Sequence, residues 1–576
     1  MHKTVLQNFV WSIDTPHVAE RDVFFRSGKD VIIDDGNIKF DSFSNISFNT
    51  YYNIFPSKKI HKYTNIQNLS LYASVDGEVK IEVFGIKKQL SYSYEKNILT
   101  EKLSGDVNLN IESWEEYDAI YCRISSYDKI VTVKEIHFYT SDLPSQDISL
   151  GCCFCTYNRE SYITKNVEKI SDGIKETHIN CKIFISNNGN PIDINDNEIV
   201  RIEKNENFGG AGGFTRSALM AEDEKCSHII FMDDDIEINF ESVFRTFNFY
   251  SYVKDEYKSL FLSGSMLSLD EKWLQYERNT LIDNNGMHHQ GHFQDLRTYH
   301  DVIDNATCAP IEGVAGWWFC AFSTQHFRDY GLPLPIFIRG DDIEFSRRCN
   351  AKIISLPGIC VWHEPFHKKY SEIMEEYYLL RNILIFTFST PQNLTQFGLK
   401  FFIRKVLRNI ATWNYTGLAM NKMAIIDFLT EAYKDNPVNI QKRLSLLNNE
   451  LKSTSPKRDG FVYPDNKFTH KRLRKKIPLL FLGLLSPSKQ QGVSSRGFNR
   501  KISDFIMRKE VIVYDYEKQE GESVTIVKSK LADYAMFFVK SYFKIKMNSR
   551  KYRKDTIIFR SETSTKKYWK KLLNRN

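Results

Sequence analysis

Residues 228–238 read HIIFMDDDIEI, and the break inside them, from five residues fit for a buried strand to three consecutive aspartates, decides how the chain is read. An apolar run of this kind suits a strand covered on both faces, so Asp233, Asp234 and Asp235 fall where that strand leaves the core. Two carboxylates about 4 Å apart repel by roughly 4 kcal/mol at an effective dielectric near 20, so the cluster needs a shared cation or proton. Side chains alternate along an extended segment, which turns Asp233 and Asp235 one way and Asp234 the other. A D-x-D pair aimed at one point suits a hard divalent cation, while a solvated acidic turn is the plainer alternative. The neighbouring segments must decide between them.

Upstream, strand and helix alternate. DISLGCCFCTYNRE (147–160) reads as strand then turn, 161–174 as helix, CKIFISNNGN (181–190) as strand then turn, and 211–225 as a helix leading into the aspartates. That rhythm predicts a mainly parallel sheet whose ligands gather at the carboxyl ends of its strands, with TYNR (156–159), NNGN (187–190) and the aspartates on one edge. At least two strands precede the aspartates, which argues against a phosphohydrolase that opens its sheet with a nucleophilic D-x-D. Before about residue 145 the alternation is strand-like throughout, as in IQNLSLYASV, and Asp76-Gly77 is a hairpin signal. An all-β sandwich is expected there, serving either carbohydrate contact or oligomer packing. From about 370 the pattern turns helical, beginning with SEIMEEYYLLRNILIFTF, and a loop-rich basic end is expected to follow. The expected division is therefore 1–145, a β-sandwich; 146–390, an α/β domain; and 391–576, a helical region with a basic tail.

The chain has 576 residues, 42% of them hydrophobic, enough for two to four domains with real cores. All ten cysteines lie between Cys122 and Cys360. Cys152 and Cys155 have zinc-like spacing but no second pair, so buried reduced thiols are expected. The N-terminal stretch lacks the apolar core of a signal peptide and no apolar run nears the 18 or so residues that span a bilayer, which predicts a cytoplasmic protein. The net charge of +7 is concentrated in residues 540–576, where thirteen Lys or Arg face two acids. Tyr542, Phe543, Tyr552, Phe559, Tyr568 and Trp569 accompany those charges, and KRLRKKIPLLFLGLL (471–485) adds a second basic-then-apolar stretch. Peripheral contact with the anionic inner face of the cell membrane is expected; no nucleic-acid reader motif accompanies the charge.

Four further motifs carry chemistry. NFGGAGGFTRSAL (207–219) sets four glycines before a helix, where backbone can approach a ligand and the helix terminus favours anions, although it is neither a P-loop nor a G-x-G-x-x-G. Arg216 and Arg159 are placed to contact diphosphate oxygens. In GVAGWWFCAF (313–322) the adjacent Trp317 and Trp318 point to opposite faces if extended, one into the core and one free to stack on a sugar, with core packing of both as the plainer alternative. FIRGDDIEFSRR (337–348) offers Asp342 as a general base, whereas Asp341-x-x-Glu344 also fits a helix capping box. In VWHEPFHKKY (361–370), His363 near a D-x-D metal would favour Mn²⁺ over a purely oxygen site.

Taken in order, TYNR, NFGGAGGFTR, FMDDD, WWF, GDDIEF and WH resemble glycosyltransferase family 2, of the GT-A fold, and within it the polymerising galactofuranosyltransferases of mycobacteria and their relatives. SFNTYYNIFP (47–56) and EYYLLRN (376–382) extend the resemblance to both flanking regions. It implies a metal-dependent (Mn²⁺ or Mg²⁺) inverting transferase that passes galactofuranose from UDP-galactofuranose to a growing cell-surface glycan, with a lipid-linked acceptor and a homo-oligomer among its compatible partners. By that resemblance Asp233, Asp235 and His363 hold the metal and Asp342 is the base. Asp341, Trp317 and Trp318 face the acceptor, while Arg159, Asn188, Asn207, Gly209, Gly210, Gly213, Arg216 and Asp234 face the donor. NNGN departs from the aspartate that many family 2 enzymes use to read uracil, which weakens the role of Asn188. The rivals are a family 2 enzyme with another donor, rhamnosyl or glucosyl, and a sugar-binding protein without catalysis.

Overall fold

Buried apolar side chains alternate along Ser70–Lys88, one strand of nineteen residues on which the first region is built. The computed structural model describes residues 3–11, 18–29, 31–34, 36–90, 92–365, 369–453, 457–458, 492–506, 508–515 and 520–574. The hairpin expected at Asp76-Gly77 does not form. Gly77, at φ +102°, lies in an irregularity between Val75 and Val79, and the chain runs on to pair antiparallel with Ser93–Asn110. The same left-handed tolerance that suits a turn suits a bulge. Here the bulge lets one strand change partners, from Val131–Thr140 in its first half to Ala119–Ser126 in its second.

In the second region Leu150–Thr156 pairs parallel with both Cys181–Asn187 and His228–Asp233, and Val200–Lys204 pairs parallel with Cys181–Asn187. Cys320–Ser323 then adds antiparallel to His228–Asp233, so the eight-stranded sheet is mixed. The crossover helix Glu160–Thr177 buries Ile163, Val167, Ile170 and Ile174, one stripe at helical spacing. A second sheet starts where the first ends: Ile236–Ile238 pairs with Cys360–His363, which in turn pairs with Ser265–Ser268 and through it with Leu274–Glu277. The aspartates therefore sit at the seam of two sheets. Every cysteine is free, as expected, and Cys152 and Cys181 approach to 3.7 Å between sulfurs without a bond.

The flanking regions are packed onto this centre. Tyr52, from SFNTYYNIFP, stacks on Trp362 with ring centroids 5.8 Å apart and an interplanar angle of 8°. The C-terminal region differs from expectation in two respects. It contains a small sheet, in which Gly492–Ser495 and Glu520–Thr525 flank Glu510–Asp515. Its basic end is helical, in Lys528–Met547, Ser549–Thr563 and Lys566–Leu572. Tyr552, Phe559 and Trp569 point inward and are buried, so half of the tail's six aromatic residues serve the core instead of a free surface. The stretch 471–485 lies outside the described residues. Among the described residues no helix is long and apolar enough to cross a membrane.

Candidate active site

Strand register brings the first motifs together. Cys155 lies opposite Asp233 and Thr156 opposite Asn187, so TYNR, NNGN and the aspartates leave the sheet side by side. The second sheet then sets His363 opposite Ile236. The His363 Nε2 is 3.3 Å from an oxygen of Asp235 and 3.6 Å from one of Asp233, and one ligand atom from each of the three lies within 4.8 Å of the others. The Nδ1–H of His363 donates to the carbonyl of Glu364, 2.7 Å away, which turns Nε2 toward the carboxylates. Two carboxylates and an imidazole so arranged are a donor set fit for a divalent transition metal. Asp234 lies outside that set and accepts a hydrogen bond from the Tyr157 amide at 3.0 Å.

The charges explain the protonation of the cluster. Burial opposes ionisation of Asp235, yet His363 and Lys369 together hold its carboxyl below the usual range. Burial likewise opposes protonation of His363, but its bonds to Asp233 and Asp235 push it up to about 9. Burial and then the charge of Asp235 raise Asp234 to about 7. Lys369 donates to Asp235 and lies 3.2 Å from His363 Nε2, so an ammonium supplies the countercharge that the crowded acids require.

Asp341 and Asp342 open the Asp341–Arg348 helix, and the capping-box alternative fails. The cap position belongs to Gly340 in the left-handed conformation, which has no side chain to cap with, and Glu344 is buried in a bidentate pair with Arg348 at 3.0 Å. Burial and the neighbouring Asp342 charge push Asp341 up to about 8. Burial pushes Asp342 up to about 6, against the Ile343 amide and Arg339, which favour its charge. The Asp233 charge is felt at both, so these acids and the candidate metal-binding set share one field.

Arg159, Asn188, Asn207, Gly209, Gly210, Asp233 and Asp234 line a single cleft of ≈ 290 Å³. Arg159 is half-exposed there, 3.7 Å from Asp235. Asn188 is buried, donating to the Gly209 carbonyl at 3.1 Å and accepting from Asn205 at 3.0 Å. The glycines do not precede the helix but form its first turns, Gly209–Asp223, and most of their space goes to protein. A Cβ on Gly209 would meet the Phe337 carbonyl at 2.2 Å and one on Gly213 the Cys155 sulfur at 2.1 Å; only at Gly210 is the neighbour Asp341, at 3.2 Å. Their absent side chains let this helix abut the segment that carries Asp341 and Asp342.

Three expectations are corrected. Arg216 turns away from the cleft, bonding Glu203 at 2.8 Å, Asn205 at 3.0 Å and the Leu573 carbonyl at 3.1 Å. Trp317 is a core residue, packed on Phe214 and Phe231 with centroids 5.1 and 4.8 Å away. Trp318 is buried too, its indole N–H donating to the Gly264 carbonyl at 2.9 Å. Neither ring is left free as a sugar platform, because the segment runs through a turn between core strands instead of continuing as an exposed strand.

With the geometry in place, comparison with known proteins is informative. The family model described as Galactofuranosyltransferase 2 N-terminal matches residues 27–141. The chain resembles galactofuranosyltransferase GlfT2. It is 22% identical to GlfT2 of Mycobacterium tuberculosis over 420 residues, 67% of this chain and 65% of that protein. It is 21% identical to GlfT2 of Mycolicibacterium smegmatis over 418 residues, 67% and 64% of the two lengths. The match thus spans just under two thirds of these relatives. Among solved structures, a mannosyltransferase from Pyrobaculum calidifontis in complex with GDP-Man and Mn²⁺ aligns at 10% identity over 54% of this chain and 85% of its own, with a TM-score of 0.30, too low to bear on the fold.

Several residues at the site escaped sequence reasoning. Glu277 is buried, bonded to His289 and to Thr280, and its charge reaches Asp342; in YERNTL it looks like any surface acid. Arg339 pairs with Glu375 at 2.8 Å beside the same acid. Asn382 holds the backbone that leads to Asp341, and only its place in EYYLLRN pointed to it.

Proposed function

We propose that the chain is a metal-dependent inverting glycosyltransferase of GT-A type that transfers galactofuranose from UDP-galactofuranose to a growing glycan in the cytoplasm. The observation that carries the proposal is the joining, in one electrostatic field, of a transition-metal donor set with a second pair of acids whose affinities for protons are raised. The GlfT2 relatives support the choice of donor sugar. Asp233, Asp235 and His363 would hold Mn²⁺ or Mg²⁺, and such an ion would offset the charge of the donor diphosphate and of the departing UDP. Arg159 is close enough to share that duty from the cleft wall.

The protein's own groups supply the rest. Asp342, raised to about 6, is ionised at neutral pH yet basic enough to take the proton of an acceptor hydroxyl as that oxygen attacks the anomeric carbon. A single base acting on the acceptor, with UDP leaving from the opposite face, inverts the anomeric centre. Asp341, protonated below about 8, can donate a hydrogen bond to an acceptor oxygen while its neighbour stays charged. Asn188, Asn207 and Gly210 line the donor side of the cleft.

A panel of UDP- and dTDP-sugars, scored for nucleotide release with and without a galactofuranosyl acceptor and with and without chelator, tests the proposal. Acceptor-stimulated, chelator-sensitive release from UDP-galactofuranose alone is the expected result. Turnover confined to another donor overturns the sugar assignment, and absence of acceptor-stimulated release from every donor overturns catalysis.

A further inference from the structure

Lys59 stands on the Ser57–Tyr63 helix of the first region, is 7% exposed, and carries its ammonium group into the second region. Its Nζ donates to the carbonyls of Ser355 at 2.9 Å and Asn305 at 3.1 Å and to the sulfur of Cys308, 3.1 Å away. Three ammonium protons thus meet three acceptors, and no carboxylate is among them. Burial works against the charge of Lys59, and Cys308 is the first of the groups that favour it. Asp304 favours it less, its oxygens being held by Arg278 at 3.0 Å, Gln294 at 2.9 Å and Lys88 at 3.3 Å. A buried ammonium calls for a countercharge, and in this cage the sulfur is the group that can carry it. Burial opposes ionisation of Cys308, yet Lys59 and then Arg278 hold its thiol below the ordinary value. Burial and the Asp234 charge push Cys155 the other way, and it is the only other cysteine of the ten that is not buried. Cys308 is therefore the thiol that is both open to a small solute and paired with a cation.

We infer that Lys59 and Cys308 are a site of oxidative cross-linking, at which a peroxide converts the pair to a nitrogen–sulfur bond that staples the first region to the second. The inference is independent of the catalytic proposal, and neither residue lines the cleft. In the first step the Cys308 thiolate attacks one peroxide oxygen, the O–O bond breaks and hydroxide departs; sulfur is oxidised by two electrons to a sulfenic acid while the peroxide is reduced. That step removes the countercharge. The sulfenic sulfur is neutral, so the buried Lys59 ammonium, left unpaired, passes a proton to the hydroxide and makes water. In the second step the free amine, held 3.1 Å from the sulfur, attacks it and displaces the sulfenic oxygen as a second water. One thiol, one amine and one hydrogen peroxide thus give one sulfenamide and two waters. Sulfenic acids condense with a nearby nitrogen in this way, and the Ser355 and Asn305 carbonyls keep this nitrogen in place. A thiol reductant reverses the link by attacking its sulfur, as it does in a disulfide.

The test treats the full chain with hydrogen peroxide, quenches with N-ethylmaleimide, and reads intact mass and peptide maps with and without dithiothreitol. The parent is expected to lose two hydrogens and to yield a joined peptide pair containing Lys59 and Cys308, which dithiothreitol separates. Cys308→Ser should yield no such pair. Lys59→Arg keeps the cation but should stop at the sulfenic acid, which dimedone then traps on Cys308 at least about tenfold more than in the parent, where the positioned amine outcompetes an external trap. The parental map stands whether or not the variants fold. The inference fails if peroxide leaves Cys308 a free thiol in the parent, carries it to a sulfinic acid with Lys59 unmodified, or joins the two through an added oxygen. It fails equally if dimedone traps Cys308 as readily in the parent as in folded Lys59→Arg.

Discussion

Replacing Asn382 with alanine should slow turnover while sparing UDP binding, because this side chain holds the backbone that presents the candidate base. Its Nδ2 lies 3.2, 2.9 and 2.8 Å from the carbonyls of Ile336, Ile338 and Arg339, and the residue is fully buried. The backbone so held is strained: Phe337, Arg339 and Gly340 have φ of 74°, 66° and 85°, and for the two residues with a Cβ this costs about 1–2 kcal/mol each. Two amide hydrogens serve three carbonyls, so the truncation removes about two hydrogen bonds' worth of satisfaction. At about 1–2 kcal/mol for each carbonyl left dry, the fold should lose roughly 2–4 kcal/mol. The loss is comparable to the strain, so the segment is free to relax and Asp342 to shift. A misplacement of about 1 Å can cost about a hundredfold in rate. Steady-state UDP release should therefore show kcat reduced by roughly 10- to 100-fold, with metal-dependent UDP affinity near parental by calorimetry. Parental kcat in a destabilised variant would refute the reasoning, as would parallel loss of UDP binding, which would mark a general loss of fold.

Asp342→Asn should keep the fold and UDP affinity but lower turnover at least about a hundredfold, as loss of a general base does, and in the parent the rate should rise with pH through about 6. Asp341 is raised in the fold to about 8, so the stability it permits is full below its unfolded value, near the ordinary 3.8, and is lost as pH rises to about 8; Asp341→Asn should raise Tm at pH 8 and flatten that slope in thermal melts. Asp235→Asn should abolish transfer and weaken UDP binding chiefly in the presence of Mn²⁺, which metal titrations with and without UDP will show. Because Lys369 donates to Asp235, Lys369→Met should lower the Mn²⁺ concentration needed for half-maximal UDP binding.

Features governed by local periodicity were legible in the sequence. The parallel strands around Leu150–Thr156 and the shared carboxyl edge both follow from alternation and strand composition. What escaped depended on partners far away in the chain. Gly77 was read as a hairpin turn, and only the two strands contributed by 119–126 and 131–140 make it a bulge instead. Arg216 stands three residues beyond the last glycine of NFGGAGG, yet Glu203 and the Leu573 carbonyl claim it. The basic tail read as loop-rich because the partners that bury its aromatic residues lie more than a hundred residues earlier, as where Trp569 donates to the Pro333 carbonyl at 2.8 Å.

Those long-range contacts also bear on the role of the flanking regions. For the first region the alternation suggested carbohydrate contact or oligomer packing, but its most distinctive segment is spent on the centre of the molecule. Tyr52 stacks on Trp362, its hydroxyl meets Cys360 at 2.9 Å, and its carbonyl receives Arg245 at 2.7 Å. Trp362 immediately precedes His363, so this packing fixes the strand that offers the imidazole to Asp233 and Asp235. A stacked aromatic pair is worth about 0.5–1.5 kcal/mol beyond its burial, enough to favour one strand position several-fold. Two later segments do the same on two other walls. Asn382 holds the segment before Asp341, and Trp569 packs 3.8 Å from where a Cβ on Gly212 would stand, behind the glycine helix. Asp233 and Asp342, more than a hundred residues apart in sequence, can keep a common field only if each wall is held from outside, and here the holders Tyr52, Asn382 and Trp569 come from three distant segments of the chain.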